Sequence, residues 1–292
     1  GPGGVSRGRH WMLYDHDTLR MAAAWSTAAD ATPFIDWRGI HFNGQHFAHP
    51  HLTGQLVAEN RTGPGWASPD GAWDDARLVG RDGKHYGPLP RDWAQFAGLA
   101  LDPAGTQLAY RVGTTAVVER PLLLAETPLP IFARQLRVGP RSAPLTLQVA
   151  QLADGGAELT ELPSGVVCGP ADLSVRASER TAPLGDRLAP ALPWLAAGVL
   201  GDVDGVRWEL VDGALRLTLP AEEAPYAATV WLAGAATRDL AEAAGTAAAS
   251  ASEPTFEQAC WTVGRPPQRP DAVLVQPLVG NDDGPFAIDV LT

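Results

Sequence analysis

The feature that most constrains this chain is the regular punctuation of residues 109–234. Short β-favouring runs recur there: LAYRVG, AVVERPLLL, IFARQLRV, LTLQVAQL, GVVCG, LSVRA, VRWELV, ALRLTLP and ATVWLAG. Asp-Gly or Gly-Pro pairs separate many of them, at spacings near the roughly 8–12 residues of sandwich folds. VRWELVDGALRLTL is the clearest hairpin, because Asp212-Gly213 falls between two alternating runs and suits a tight two-residue turn. Continuous helical signal is confined to the Ala-rich stretch 237–249, which SASEP breaks. Gly 31 and Pro 26, about a fifth of the chain, suit turn-rich β structure better than helices. The expected fold is all-β: one large twisted antiparallel sandwich, or two packed sandwiches, with long loop insertions in the first third.

That first third is less regular. Residues 10–25, HWMLYDHDTLRMAAAW, read as strand, turn, strand, with a short helix as the competitor for LRMAAAW. Asn43-Gly44 is a hairpin signal. Residues 60–90 form a long excursion rich in Pro-Gly and Asp-Gly turns, and a loop of that length is usually functional or held by its own side chains. Pro90 to Trp93 reads as one turn of helix, before an apolar run resumes at Phe96. The expected organisation is a linker at 1–9 and a β-sandwich domain at 10–262, with a subdivision near 120–130 as the alternative. Residues 263–292 form a Pro-rich connector. The chain opens on GPGGVSRGRH and closes on FAIDVLT, both of which read as cuts within a longer polypeptide.

Charge excludes one class of partner. The net charge of −11 lacks the basic balance of a nucleic-acid binder. Two cysteines, Cys168 and Cys260, make no disulfide framework and no zinc pattern. The absence of C-x-x-C-H means that no c-type haem attaches covalently, and no apolar run has the length of a transmembrane helix. Cys168, inside GVVCG, is expected to be a buried structural thiol rather than a catalytic one.

All seven histidines lie at or before His85, four of them within 34–51 as His41, His46, His49 and His51. His49 and His51, two apart, would face the same way on a strand, and His41 or His46 could add a third ligand across Asn43-Gly44. A divalent metal is therefore one reading of these four; the other is hydrogen-bonded loop histidines, with Pro50 keeping the pair off a central strand. His10 or Met12 could serve as axial ligand to a neighbour's haem, though a lone His or Met is usually packing. Paired carboxylates are available at Asp15 and Asp17, at Asp74 and Asp75, and at Asp36 beside Trp37, but adjacent aspartates more often cap turns. G-x-S-x-G, G-x-G-x-x-G and Walker patterns are missing. Six of the ten tryptophans sit at or before Trp93. Trp66 and Trp73, in irregular sequence, either pin the long loop or form an aromatic platform for a sugar or partner. Trp208 and Trp231 fit strand patterns and belong to the core. The binding cleft expected from these residues comprises Asp36, Trp37, His41, His46, Trp66, Trp73, His85 and Tyr86.

YDHDTLRMAAAW, FIDWRGIHFNGQH, GPGWA, YGPLPRDWAQFAGL and YRVGTTAVVE together resemble an uncharacterised bacterial domain family, with the resemblance strongest over about residues 10–119. Such domains sit upstream of a sugar-dehydrogenase-like β-propeller and a class I cytochrome c in large exported proteins. The resemblance implies a periplasmic or extracellular location, propeller and cytochrome partners in the same or a neighbouring chain, and a carbohydrate or other small molecule as ligand. It carries over no catalytic residue. The function expected is a non-catalytic scaffold or binding module of an exported redox protein. The alternative is a carbohydrate-active or metal-dependent enzyme using residues 36–93.

Overall fold

The computed structural model describes residues 9–27, 35–36, 51–52, 54–102, 105–152, 157–171, 188–189, 191–201, 204–252 and 255–256. The first half supplies strands β1 (His10–Asp15), β2 (Arg20–Ser26), β3 (Ile35–Asp36), β4 (His51–Leu52), β5 (Gly54–Glu59), β6 (Leu78–Val79), β7 (His85–Tyr86), β8 (Ala94–Asp102) and β9 (Gly105–Val112). The next strands are β10 (Thr115–Ala125), β11 (Ile131–Val138), β12 (Leu145–Gln151), β13 (Glu158–Leu162) and β14 (Gly165–Gly169). Then come β15 (Leu188–Ala189), β16 (Trp194–Gly201), β17 (Arg207–Val211), β18 (Ala214–Leu219), β19 (Tyr226–Ala235) and a single helix, α1 (Arg238–Ser250). The fold is all-β, as the turn spacing predicts.

Three sheets build the body. An eight-stranded sheet runs β13-β14-β16-β19-β11-β10-β9-β8, a four-stranded sheet β1-β2-β5-β15, and a three-stranded sheet β12-β18-β17. Their pairing is antiparallel apart from the short β15–β5 contact. One core joins all three: Met21 and Val57 from the second sheet, Phe132, Val166 and Val230 from the first, and Leu147, Leu215 and Leu217 from the third. Alternation along β11 shows how this works. Phe132, Leu136 and Val138 enter that core, whereas Ile131 and Ala133 belong to a second cluster on the opposite face.

That second cluster is where α1 lies. Thr237 caps the helix by accepting from the Leu240 N–H. Its buried stripe is Ala241, Ala244, Gly245 and Ala248, small enough to lie close against Trp231, Val167 and Ala196. Trp231 in turn covers Gly198, its antiparallel partner; a Cβ on Gly198 would fall 2.5 Å from the indole Nε1. At the sequence-predicted hairpin, Asp212 and Gly213 have φ of 49° and 74°, the double positive φ of a type I′ turn. LRMAAAW is the strand β2, not a helix. The expected turn at Pro90 closes with the Trp93 and Ala94 N–H groups both donating to the Pro90 carbonyl. The LSVRA run and the 263–292 connector lie outside the described residues.

A charged group sits in the middle of this apolar body. Arg134 on β11 and Glu119 on β10 are 0% and 1% exposed. They form a fork-to-fork pair, Nε to Oε1 at 2.6 Å and Nη2 to Oε2 at 2.8 Å. Tyr110 on β9 donates to Oε2 at 2.7 Å, and Tyr14 on β1 donates to Oε1, its ring lying under the guanidinium. Burial pushes the Glu119 carboxyl up, but Arg134 outweighs it and holds the group below the ordinary carboxylate value. Both tyrosines are driven well above theirs by burial beside that charge.

Removing one partner of such a pair strands a charge in the core. Arg134→Met should cost about 3–5 kcal/mol in urea unfolding. Adding Glu119→Gln, which removes the charge but keeps an acceptor for the tyrosines, should recover part of that loss. A double variant no more stable than Arg134→Met alone would overturn this account.

Candidate functional site

The long loop between β5 and β8 contains most of the predicted binding residues that the structure describes. It begins by adding to the three-stranded sheet: Trp66 bridges to Leu147, Ala67 N–H donates to the Thr146 carbonyl, and Gln148 N–H donates to that of Gly65. This alignment drives Trp66 fully into the core, 6.2 Å from the Tyr110 ring. After a turn at 68–72, Trp73 emerges half-buried, with the Arg216 guanidinium 4.2 Å from its ring centre. The two tryptophans therefore part company.

Further along, Asp75 and Arg77 form a bidentate pair at 2.9 and 2.7 Å. His85 Nδ1 lies 3.7 Å from Asp75 and 3.4 Å from the Arg77 carbonyl. The β1–β2 turn faces the same charges: Asp15 accepts from Arg20 at 3.2 Å, and Arg20 donates to the Asn60 carbonyl at 2.6 Å. Asp15 and Asp17 both act electrostatically on Arg77. The hydrogen bond from Arg77 holds the Asp75 carboxyl below its ordinary value. Burial raises Asp15, but Thr18, Arg20 and the Asp17 N–H together pull it below. These carboxylates serve as turn caps and ion-pair partners of the loop. Asp74 is exposed.

The β6–β7 hairpin projects from this brace. Leu78 pairs with Tyr86 and Val79 with His85 in register. Tyr86 donates to Asp82 at 2.7 Å, and the Gly80 N–H donates to the Lys84 carbonyl, closing the tip. Yet Leu78, Val79 and Tyr86 are 76%, 57% and 47% exposed. Leu78 and Tyr86, as register partners, share one face of the ribbon, and Val79 lies on the other.

Of the predicted histidine site, Trp37, His41, His46 and His49 lie outside the described residues. Asp36 and His51 are described as backbone partners in the β3–β4 ladder, which brings the two ends of that segment together. Among the described residues, no three His, Cys, Asp or Glu are grouped to hold a metal ion. His10 Nδ1 lies 2.9 Å from the Ser26 hydroxyl, and Met12 packs on the core. Cys168 is a buried free thiol, and burial pushes it up to about 12. Sequence reasoning missed the Glu119–Arg134 centre, since nothing in VVERPL or FARQLR states which face each charge takes.

With the geometry in place, comparison with known proteins adds one finding. Residues 12–119 match a domain of unknown function, DUF6797. The matched span contains the β1–β2 turn, the loop, the hairpin, Tyr14, Tyr110 and Glu119, whereas Arg134 lies beyond it. No curated protein matches the chain. Among the described residues, no helix is long and apolar enough to cross a membrane.

Two outcomes follow from the loop. Because the folded Asp75 and Asp15 carboxyls lie below their unfolded value, their stabilisation is complete above the ordinary 3.8 and is lost as pH falls through the folded values. Hydrogen exchange across 75–89, taken relative to the intrinsic rate at each pH, should therefore accelerate below that pH. Arg77→Ala should accelerate it at neutral pH while leaving β19 protected, and an unchanged loop in this variant would contradict the bracing role. Separately, Cys168 should resist iodoacetamide at neutral pH until the chain is unfolded; rapid native labelling would refute its burial.

Proposed function

We propose that this chain is a non-catalytic β-module of a larger exported redox protein, serving as scaffold and binding partner for its neighbours. The observation that carries this reading is the exposed Leu78–Tyr86 pair on the β6–β7 hairpin. Leu78, Val79 and Tyr86 stay open to solvent on a ribbon braced from behind by Asp75 and Arg77, so docking would order little chain and bury apolar area at once. The charged groups beside it support the same reading, being paired with one another as loop fastenings. The resemblance noted in the sequence supplies the neighbours, a β-propeller and a class I cytochrome c, and with them a periplasmic or extracellular setting.

The test uses a purified sugar-dehydrogenase-like propeller and a class I cytochrome c from an exported protein of the type the resemblance implies, with binding followed by biolayer interferometry. Wild type should bind at least one, and Leu78→Asp with Tyr86→Ser should weaken it at least tenfold with unchanged thermal unfolding. Binding of neither module by wild type would overturn the docking role.

A second reading, a metal-dependent or carbohydrate-active enzyme, draws on the Asp36–His51 register pair, which sets a carboxylate-bearing residue opposite an imidazole-bearing one. Stoichiometric zinc, manganese or iron in the purified chain, removed by His51→Ala, would favour it.

A further inference from the structure

We propose that the outward face of the β12–β18–β17 sheet, with Trp73 at its side, binds a neutral oligosaccharide. This rests on the binding-module reading above and names a ligand class for it at a site apart from the hairpin tip.

The face follows from strand alternation. Leu145, Leu147, Leu215, Leu217 and Leu219 point into the core, with Trp208 and Leu210 packed against them. The intervening residues must take the other side. Register aligns them in two rows across the strands: Gln148, Arg216 and Glu209 in one, Thr146, Thr218 and Arg207 in the other. Four of the six are half-buried, and they are already oriented. Thr146 and Thr218 hydroxyls lie 3.0 Å apart, and the Gln148 amide donates to Asn60 at 3.1 Å. Arg216 lies opposite Glu209 in register, yet its guanidinium rests over Trp73, and its buried Nε has no acceptor.

The chemistry selects the ligand. A guanidinium and a carboxylate in one row cancel in charge while offering donors and an acceptor side by side, which suits hydroxyls that both donate and accept. Arg207 in the other row leaves the face one positive charge in excess, which the chain's net charge of −11 offsets against phosphates and polyanions. The indole adds an apolar flank for the C–H face of a pyranose, the usual division of labour in a site that is part aromatic and part polar. The two rows each run across three strands about 4.8 Å apart, which suits a chain of sugars rather than a single one.

Isothermal titration of the whole chain with cellohexaose, xylohexaose and mannohexaose tests this, with tri-galacturonate as the acidic arm. Wild type should bind at least one neutral hexaose. Trp73→Ala and the exposed Glu209→Ala should each weaken that binding at least tenfold, and Trp73→Phe should retain most of it. Glu209→Ala is the safeguard should Trp73→Ala disturb the loop, which circular dichroism would reveal. Binding of no neutral hexaose, tighter binding of tri-galacturonate, or binding indifferent to Glu209→Ala would each overturn the proposal. The Leu78→Asp, Tyr86→Ser variant separates the two readings. It should keep the hexaose while losing the protein module; hexaose binding without module binding sinks only the docking role, and the converse sinks only the glycan face.

Discussion

The structure depends on a carboxylate that has no water to solvate it. Glu119 is acceptable in the core because four donors reach it, two from Arg134 and one from each of Tyr14 and Tyr110. Desolvating the two ions costs several kcal/mol each, so the pair is weak as a source of stability and strong as a source of geometry. Tyr14 comes from the four-stranded sheet and the other three from the eight-stranded one. Only one relative placement of the two sheets satisfies all four residues, whereas a purely apolar contact would tolerate many.

The same economy governs the long loop. Its first residues become sheet, its tryptophan becomes core, and its aspartates fasten its turns. What is left over is informative: the hairpin tip and the Trp73 flank. A loop fastened by these contacts can present a surface with a smaller ordering penalty than an unfastened one carries on binding. Trp66 and Trp73, seven residues apart, illustrate how a turn at 68–72 converts equal sequence signals into opposite fates.

Much of the architecture is legible in the chain. Turn chemistry locates the Asp212-Gly213 hairpin, alternation gives β10 to β12 and β17 to β19, and an Ala-rich run behind a capping Thr marks α1. Two strands escape. β16 reads as WLAAGVLG, whose alanines and glycines have little strand preference, but it is held between β14 and β19 and accommodates Trp231 over Gly198. β13 follows the turn signal Asp154-Gly155-Gly156, but its ELTEL carries glutamates at a sheet edge. The site is less legible than the fold. Its residues come from strands distant in sequence, and pairing register, which the sequence does not state, decides that Arg216 meets both Gln148 and Glu209.

Arg134 also bears on what counts as a unit. The matched span ends at Glu119, midway along β10, before the strand that neutralises its own last residue. A polypeptide trimmed to that span would bring a naked carboxylate and an unpaired sheet edge to its folding, each an invitation to aggregate or to borrow a strand from another molecule. The recognisable module and the self-sufficient one are therefore different lengths, and inheritance of the first presupposes some β11-like companion to complete it.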